Sequence, residues 1–121
     1  MNSTALADLF GSRAAEAVLL HLYHYGESYG RAISADFTIS LDSVQRQLEK
    51  FSRAGVLVSK HQGRTLVYTW NPKSRLAARL KDLVAVIHEG MGMEARARLF
   101  NTRRRPRAKG KPVIPASGSG T

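Results

Sequence analysis

The chain of 121 residues contains no cysteine, which excludes disulfides, thiolate metal sites and cysteine nucleophiles. Its longest unbroken apolar run extends only from Leu83 to Ile87, which is far too short to cross a membrane. The sequence does not open with a basic region followed by a long apolar stretch, so we expect no secretory signal and a cytoplasmic protein. We recognise no glycine-rich phosphate loop, paired carboxylates or nucleophile motif, and therefore expect no enzyme.

Histidine is the remaining residue type that often binds metals. His21 and His24 lie three residues apart, which would place both on one face of a helix. A third ligand is not evident, because His61 and His88 are distant in the sequence. We therefore expect structural or surface histidines, with no bound metal and no cofactor.

Negative charge is scarce. The chain has 9 Asp and Glu against 19 Lys and Arg, a net charge of +10 at pH 7. Such an excess favours a polyanionic partner, namely DNA, RNA or an anionic membrane face. Most of it lies at the C-terminal end, because eight basic residues and no acidic residue follow Ala95.

Residues 101–121 combine much of this positive charge with proline, glycine and small polar residues, a composition that predicts a disordered basic tail. Arginines in such a tail attract phosphates of any sequence, in a duplex minor groove or in structured RNA. A membrane-surface helix is a poor fit, because the tail lacks interleaved large apolar residues. The candidate tail contacts are Arg103, Arg104, Arg105 and Arg107.

Apolar residues at three- and four-residue steps predict several helices in the rest of the chain. The predicted helices cover residues 5–10, 12–25, 29–37 and 41–54. Ser12, Ser28 and Ser40 are candidate N-terminal caps, because serine accepts a hydrogen bond from the first turn of a helix. The last two helices are separated by a three-residue turn, a layout typical of a helix-turn-helix.

A β-hairpin is predicted next, with strands over 56–61 and 64–70 and a tight turn at Gln62-Gly63. Asn71-Pro72 ends the hairpin. A long helix capped by Ser74 then covers 75–89, and a weaker helix covers 93–100.

The segment from Leu9 to Pro72 resembles the winged helix-turn-helix domains of ArsR/MarR-like transcription regulators, in particular the small stand-alone bacterial and archaeal type. The sequences that carry the resemblance are LFGS (9–12), YGRAI (29–33), SLDSVQRQLEKF (40–51), AGVLV (54–58) and GRTLVY (63–68). They imply a mostly α fold with a small β-hairpin wing. We expect a winged helix-turn-helix domain over 1–72, a C-terminal helical segment over 73–100, and the disordered basic tail.

The same resemblance implies binding to double-stranded DNA, with the 41–54 helix in the major groove. Ser43, Gln45 and Arg46 are the candidate base contacts, since glutamine pairs with adenine and arginine with guanine. The candidate backbone contacts are Ser28, Tyr29, Arg31, Gln47, Lys50, Arg53, Lys60 and Arg64. Asp42 and Glu49 are acidic residues on the same helix and weaken this indication.

The 75–89 helix carries an apolar stripe whose members are Leu76, Leu80, Leu83, Val84 and Ile87. Members of the resembled family commonly form homodimers through such terminal helices, and we expect the same here. The alternative is a helix that folds back entirely on its own core.

The sequence thus predicts a small dimeric transcription regulator that binds specific DNA in the cytoplasm, associated with the nucleoid. Two other functions stay open. Winged helices also serve as protein-interaction adaptors, and the tail alone would suit an architectural or RNA-binding protein. Whether a small-molecule effector controls the protein is left open by the sequence.

Overall fold

The computed structural model describes residues 3–101. Apart from a two-residue strand, β1, its elements follow the predicted order with bounds within one residue of the predicted ones. The predicted tail lies outside the described residues. The elements are α1 (Ala5–Phe10), α2 (Arg13–Tyr25), β1 (Glu27–Ser28), α3 (Gly30–Phe37), α4 (Leu41–Arg53), β2 (Leu57–Gln62), β3 (Thr65–Trp70), α5 (Arg75–Glu89) and α6 (Met93–Leu99).

Serine side chains begin three of the long helices, as predicted. The hydroxyl oxygens of Ser12, Ser40 and Ser74 each accept a backbone N–H three residues on, at 3.1, 3.2 and 3.0 Å. Ser28 was also expected to cap a helix, and this prediction is wrong. Tyr29 precedes α3 instead and makes no side-chain hydrogen bond to it.

Ser28 belongs to a short strand that the sequence did not predict. The sheet has the order β1-β3-β2, and both pairings are antiparallel. Glu27 pairs with Thr69, and Ser28 pairs with Tyr68. The wing is therefore fastened at its base to the residues that leave α2.

The centre of the core is α2, which is buried continuously from Ala14 to Leu22. A helix that is buried on all sides contacts neighbours on every face, and here these include α1, α3, α4 and α5. On α4 the predicted core residues Val44, Leu48 and Phe51 are buried against this centre. Their spacing leaves the opposite face of α4 directed outward.

A buried polar network crosses this core. His21 Nε2 lies 2.7 Å from Asp36 Oδ2, and Ser28 Oγ lies 2.7 Å from His21 Nδ1. All three residues are buried, so the imidazole N–H donates to the carboxylate where water cannot replace either partner. The network joins α2, β1 and α3, and so sets how α3 lies against the central helix.

The apolar stripe of α5 is divided between the core and the surface. Val84 is fully buried in the protein's own core, so its expected place on a dimer face is wrong. Leu80 and Ile87 are partly buried against the same core. Leu76 and Leu83 remain 60% and 40% exposed. No helix within residues 3–101 is long and apolar enough to cross a membrane.

Candidate nucleic-acid interface

The outward face of α4 presents polar side chains in the half of the helix nearest its N-terminus. Gln45 and Arg46 are exposed, and Ser43 is partly exposed. Ser40 Oγ donates to Ser43 Oγ at 2.9 Å, which leaves the Ser43 hydroxyl hydrogen able to donate outward. The three predicted base contacts thus share one accessible surface.

Arg46 has an ion-pair partner on its own helix. Its guanidinium lies 2.8 Å from the carboxylate of Asp42, and the two side chains are 74% and 75% exposed. A pair so exposed to water contributes at most about 1 kcal/mol. Arg46 can therefore exchange Asp42 for a better partner, while Asp42 opposes unspecific approach of an anion.

A groove of about 240 Å³ lies beside this face, between the start of α3, α4 and the wing. Arg31 lines it from α3, Arg64 from the β2–β3 turn, and Gln45 from α4. Leu48 and Tyr68 are among its apolar lining. Three side chains predicted separately for DNA contact are thus brought to one place.

The start of α3 approaches α4 closely because residue 30 is glycine. A Cβ atom at Gly30 would lie only 3.1 Å from Leu41 Cδ1 and 3.5 Å from Gln45 Cγ. Tyr29 makes no capping bond and the first turn holds no acidic residue, so the partial positive charge of this helix end is not compensated there. Both Tyr29 and Gly30 line the groove, which makes this side of it attractive to anions.

Tyr68, which lines the same groove, also carries an ionisable hydroxyl. Burial, and after it the negative charge of Glu49, raises the pKa of Tyr68 above its usual value of 10.0. The phenol therefore keeps its proton at neutral pH and can donate a hydrogen bond.

The other predicted backbone contacts lie outside the groove lining. Lys60 pairs with Val67 in the hairpin, on the opposite face from Leu66 and Tyr68. The Lys50 ammonium lies 5.3 Å from the centre of the Phe51 ring. Arg53 is exposed at the end of α4, and Gln47 is only partly exposed.

Ser28 is the candidate contact that the structure removes. Its side chain is fully buried and bonded to His21, so it cannot reach a phosphate. The candidate tail contacts Arg103, Arg104, Arg105 and Arg107 lie outside the described residues.

Among residues 3–101, no group of three or more His, Cys, Asp or Glu side chains is placed to hold a metal ion. The structure does bring together two histidines that are distant in sequence. His24 Nδ1 lies 3.0 Å from His88 Nε2. No local sequence signal predicts a contact across 64 residues.

The three-helix core, the α3–turn–α4 pair and the hairpin packed beside it define the winged helix-turn-helix fold. No protein-family model and no curated protein matches the sequence. Two solved structures are similar. The AntR antimony-specific transcriptional repressor shares 18% identity over 66% of this chain and 73% of its own, with a TM-score of 0.48.

Reduced AbfR, solved bound to DNA, shares 17% identity with a TM-score of 0.51. The match covers 74% of this chain, which spans 66% of the AbfR chain. The similarity to AbfR confirms the predicted fold.

Proposed function

We propose that the protein is a sequence-specific double-stranded-DNA-binding transcription regulator of the ArsR/MarR-like kind. The observation that carries the proposal is the groove in which Arg31, Arg64 and Gln45 meet beside the exposed start of α4. A winged helix places its second helix-turn-helix helix in the major groove and its wing on the adjacent backbone. AbfR, which has a similar fold, was solved bound to DNA.

In this proposal α4 enters the major groove with its N-terminal half leading. Gln45 pairs with an adenine, Arg46 leaves Asp42 for the acceptor edge of a guanine, and Ser43 donates to a base or a phosphate. Because Val44, Leu48 and Phe51 are held in the core, α4 docks as part of a rigid unit. The positions of the side chains along α4 then determine which successive bases they contact.

One phosphate occupies the groove between the α3 N-terminus and the wing. Arg31 and Arg64 are charge-assisted donors on its sides, and the uncapped end of α3 adds backbone N–H groups. Tyr29 contacts the same strand. Lys50, Arg53, Gln47 and Lys60 approach phosphates further along, and the tail arginines add affinity that depends on salt.

The proposed assembly is a homodimer that pairs the exposed side of α5. Leu76 and Leu83 are joined there by Val86, which is 69% exposed, a residue that the sequence analysis did not single out. Exposed Leu9 lies on α1, which also contacts α5. Leu80 and Ile87 border this surface, whereas Val84 does not contribute. Two copies related by a twofold axis would read an inverted repeat.

The proposed division of labour follows the chain. Residues 1–72 bind DNA, 73–100 join subunits, and 101–121 form the basic tail. We place the protein in the cytoplasm on the nucleoid. It requires no metal or cofactor in this proposal.

Selection from a random duplex library at about 150 mM salt tests the proposal, because this salt suppresses purely electrostatic binding. The full chain and a chain ending at Asn101 are expected to enrich the same inverted repeat, the shorter one more weakly. This endpoint keeps Leu99, which is part of the core. Enrichment of nothing by either chain contradicts the proposal. If only the full chain then retains DNA at low salt, the protein is a nucleic-acid binder that depends on its basic tail. If neither chain retains DNA, the result favours a protein-interaction adaptor.

A double change of Arg31→Ala and Arg64→Ala is expected to weaken binding to the selected and to random duplexes by similar factors. Because the one phosphate held between the two arginines is no longer neutralised, the slope of log affinity against log salt should fall by about 1. The measurement is fluorescence anisotropy at several salt concentrations. Lys73→Ala with Lys81→Ala is the matched control, because these exposed lysines lie outside the groove lining and off the exposed apolar side of α5. Equal slopes for the two double variants would contradict a phosphate in the groove.

A further inference from the structure

The contact between His24 and His88 joins the C-terminal end of α2 to the C-terminal end of α5. His24 stands near the end of α2 and His88 near the end of α5, with the facing nitrogens 3.0 Å apart. Phe100, directly after α6, stacks on His24 with the ring centres 3.9 Å apart and the planes at 5°. Arg96 on α6 donates to the backbone carbonyl of His88 at 2.9 Å.

A hydrogen bond between two imidazoles depends on their protonation. One nitrogen must carry hydrogen and the facing nitrogen must be bare, which holds while at most one ring is charged. When both rings are protonated, two N–H groups and two like charges face each other across 3.0 Å. Acid therefore converts this contact from attraction to repulsion.

The surroundings of the pair mostly oppose protonation. Burial lowers the pKa of His24 from 6.5 to about 4, with the positive charges of His88, His21 and Arg96 adding to the effect and Asp36 opposing it. Burial and Arg96 likewise lower the pKa of His88, against the effect of Glu89. The rings packed on the two histidines are those of Tyr23, Tyr25 and Phe100. The His21 ring packs in turn on Tyr25.

The sign of the pH effect follows from these directions. A contact that lowers the pKa of a histidine is weakened when that histidine gains a proton. The contact therefore has its full strength above the unperturbed pKa of the histidine, near 6.5. The contact weakens as the pH falls from 6.5 towards about 4, where His24 itself becomes charged in place.

We propose that His24, His88 and Phe100 form a pH-sensitive clasp, which fastens α6 to the domain near neutral pH and releases it in mildly acidic solution. The rest of α6 is held weakly, since Leu99 is its only buried residue. Elements with few buried contacts open locally before the domain unfolds. The clasp stands independently of the proposed DNA binding.

Amide hydrogen exchange on the full chain at pH 7.5 and 5.0 tests the clasp. For one histidine with a pKa of about 4 when closed and about 6.5 when open, the protection of α6 amides falls by up to about 25-fold between these pH values. Amides of α4 should keep their protection. The quantities compared are protection factors, in which each measured exchange rate is divided into the intrinsic rate expected at the same pH.

The variant that isolates the clasp is His24→Asn with His88→Gln. Both side chains can still hydrogen bond, but neither titrates. The ratio of α6 protection between pH 7.5 and 5.0 should then approach one. His61→Gln is the control, because this histidine is exposed on the wing and its loss should leave the ratio of the unaltered protein.

Equal α6 protection at the two pH values in the unaltered protein would overturn the proposal. A pH response undiminished in the double variant would also overturn it. If α6 amides are unprotected in the double variant even at pH 7.5, that variant cannot test the clasp. Titration of His24 and His88 in the unaltered protein, followed by nitrogen-15 NMR, then provides the test. His24 should then titrate well below pH 6.5, and titration of both rings near 6.5 overturns the clasp.

Discussion

Replacing Asp36 with alanine is expected to lower the free energy of unfolding by about 1–3 kcal/mol, a large share of the stability of a small domain. Asp36 accepts the Nε2–H of His21 at 2.7 Å, and both side chains are almost completely buried. Removing the carboxylate leaves an imidazole in the core with a polar N–H that water cannot reach. Urea denaturation followed by the fluorescence of Trp70 measures the loss.

Asp82→Ala is the matched control for this change. Asp82 also pairs with a basic side chain, since its carboxylate lies 3.2 Å from Arg79, but both partners are largely exposed. Its loss should cost about 0.5 kcal/mol or less. Asp36→Asn should lie between the two, because the amide oxygen still accepts from His21 without supplying a negative charge. If Asp36→Ala and Asp82→Ala are equally mild, the buried network does not hold the domain together.

The network also matters for the proposed interface. Ser28 is paired with Tyr68 in the sheet, and Tyr68 lines the groove. Asp36 lies on α3, whose first residues line the same groove. Weakening the hydrogen bond between Asp36 and His21 therefore loosens the α3 side and the β3 side of the groove. We expect DNA affinity to fall together with stability in the Asp36→Asn variant.

The features that could be predicted from the sequence depend on residues close together in the chain. Ser40 caps α4 through an N–H three residues away, and Val44, Leu48 and Phe51 repeat at helical spacing. The turn at Gly63 requires a positive φ, which is 64° here, and glycine adopts it without strain. Local rules decide each of these, so the helices and the hairpin were predicted within one residue.

Ser28 shows why part of the site could not be predicted. A serine before a short helix is a good cap, but a serine is equally able to bond a buried histidine. The choice depends on His21, which reaches it only after α2 and β1 have packed. Val84 is a similar case, because a broad apolar stripe on α5 does not reveal which members face the core.

The groove illustrates the same limit for function. Arg31, Gln45 and Arg64 were each predicted from their place in the helix-turn-helix and the wing. That they line one groove depends on the close approach of α3 to α4 at Gly30, a tertiary contact. A pattern of residues indicates which side chains are available, while the packing of helices decides which of them share a ligand.

The second large effect is expected on the outward face of α4. Gln45→Ala and Arg46→Ala should each weaken binding to the selected DNA by about 1–3 kcal/mol, or roughly 5- to 150-fold in Kd, with little change on random duplexes. A bidentate side chain discriminates between bases, whereas a phosphate contact does not. Anisotropy titrations with the two duplexes measure both numbers. Lys81→Ala is the control, because Lys81 is also an exposed basic residue of a helix but lies outside the groove lining and off the exposed apolar side of α5.

Asp42 must be separated from this result, because Arg46→Ala leaves its carboxylate unpaired on a surface that meets DNA. In an Asp42→Ala protein, Arg46 is free of its 2.8 Å partner, so we expect tighter binding to random duplexes and a smaller ratio between selected and random DNA. Removing Arg46 in that background should still weaken the selected duplex more than the random one. A loss that disappears once Asp42 is gone would mean that Arg46 only neutralises Asp42, and that another side chain of α4 reads the base.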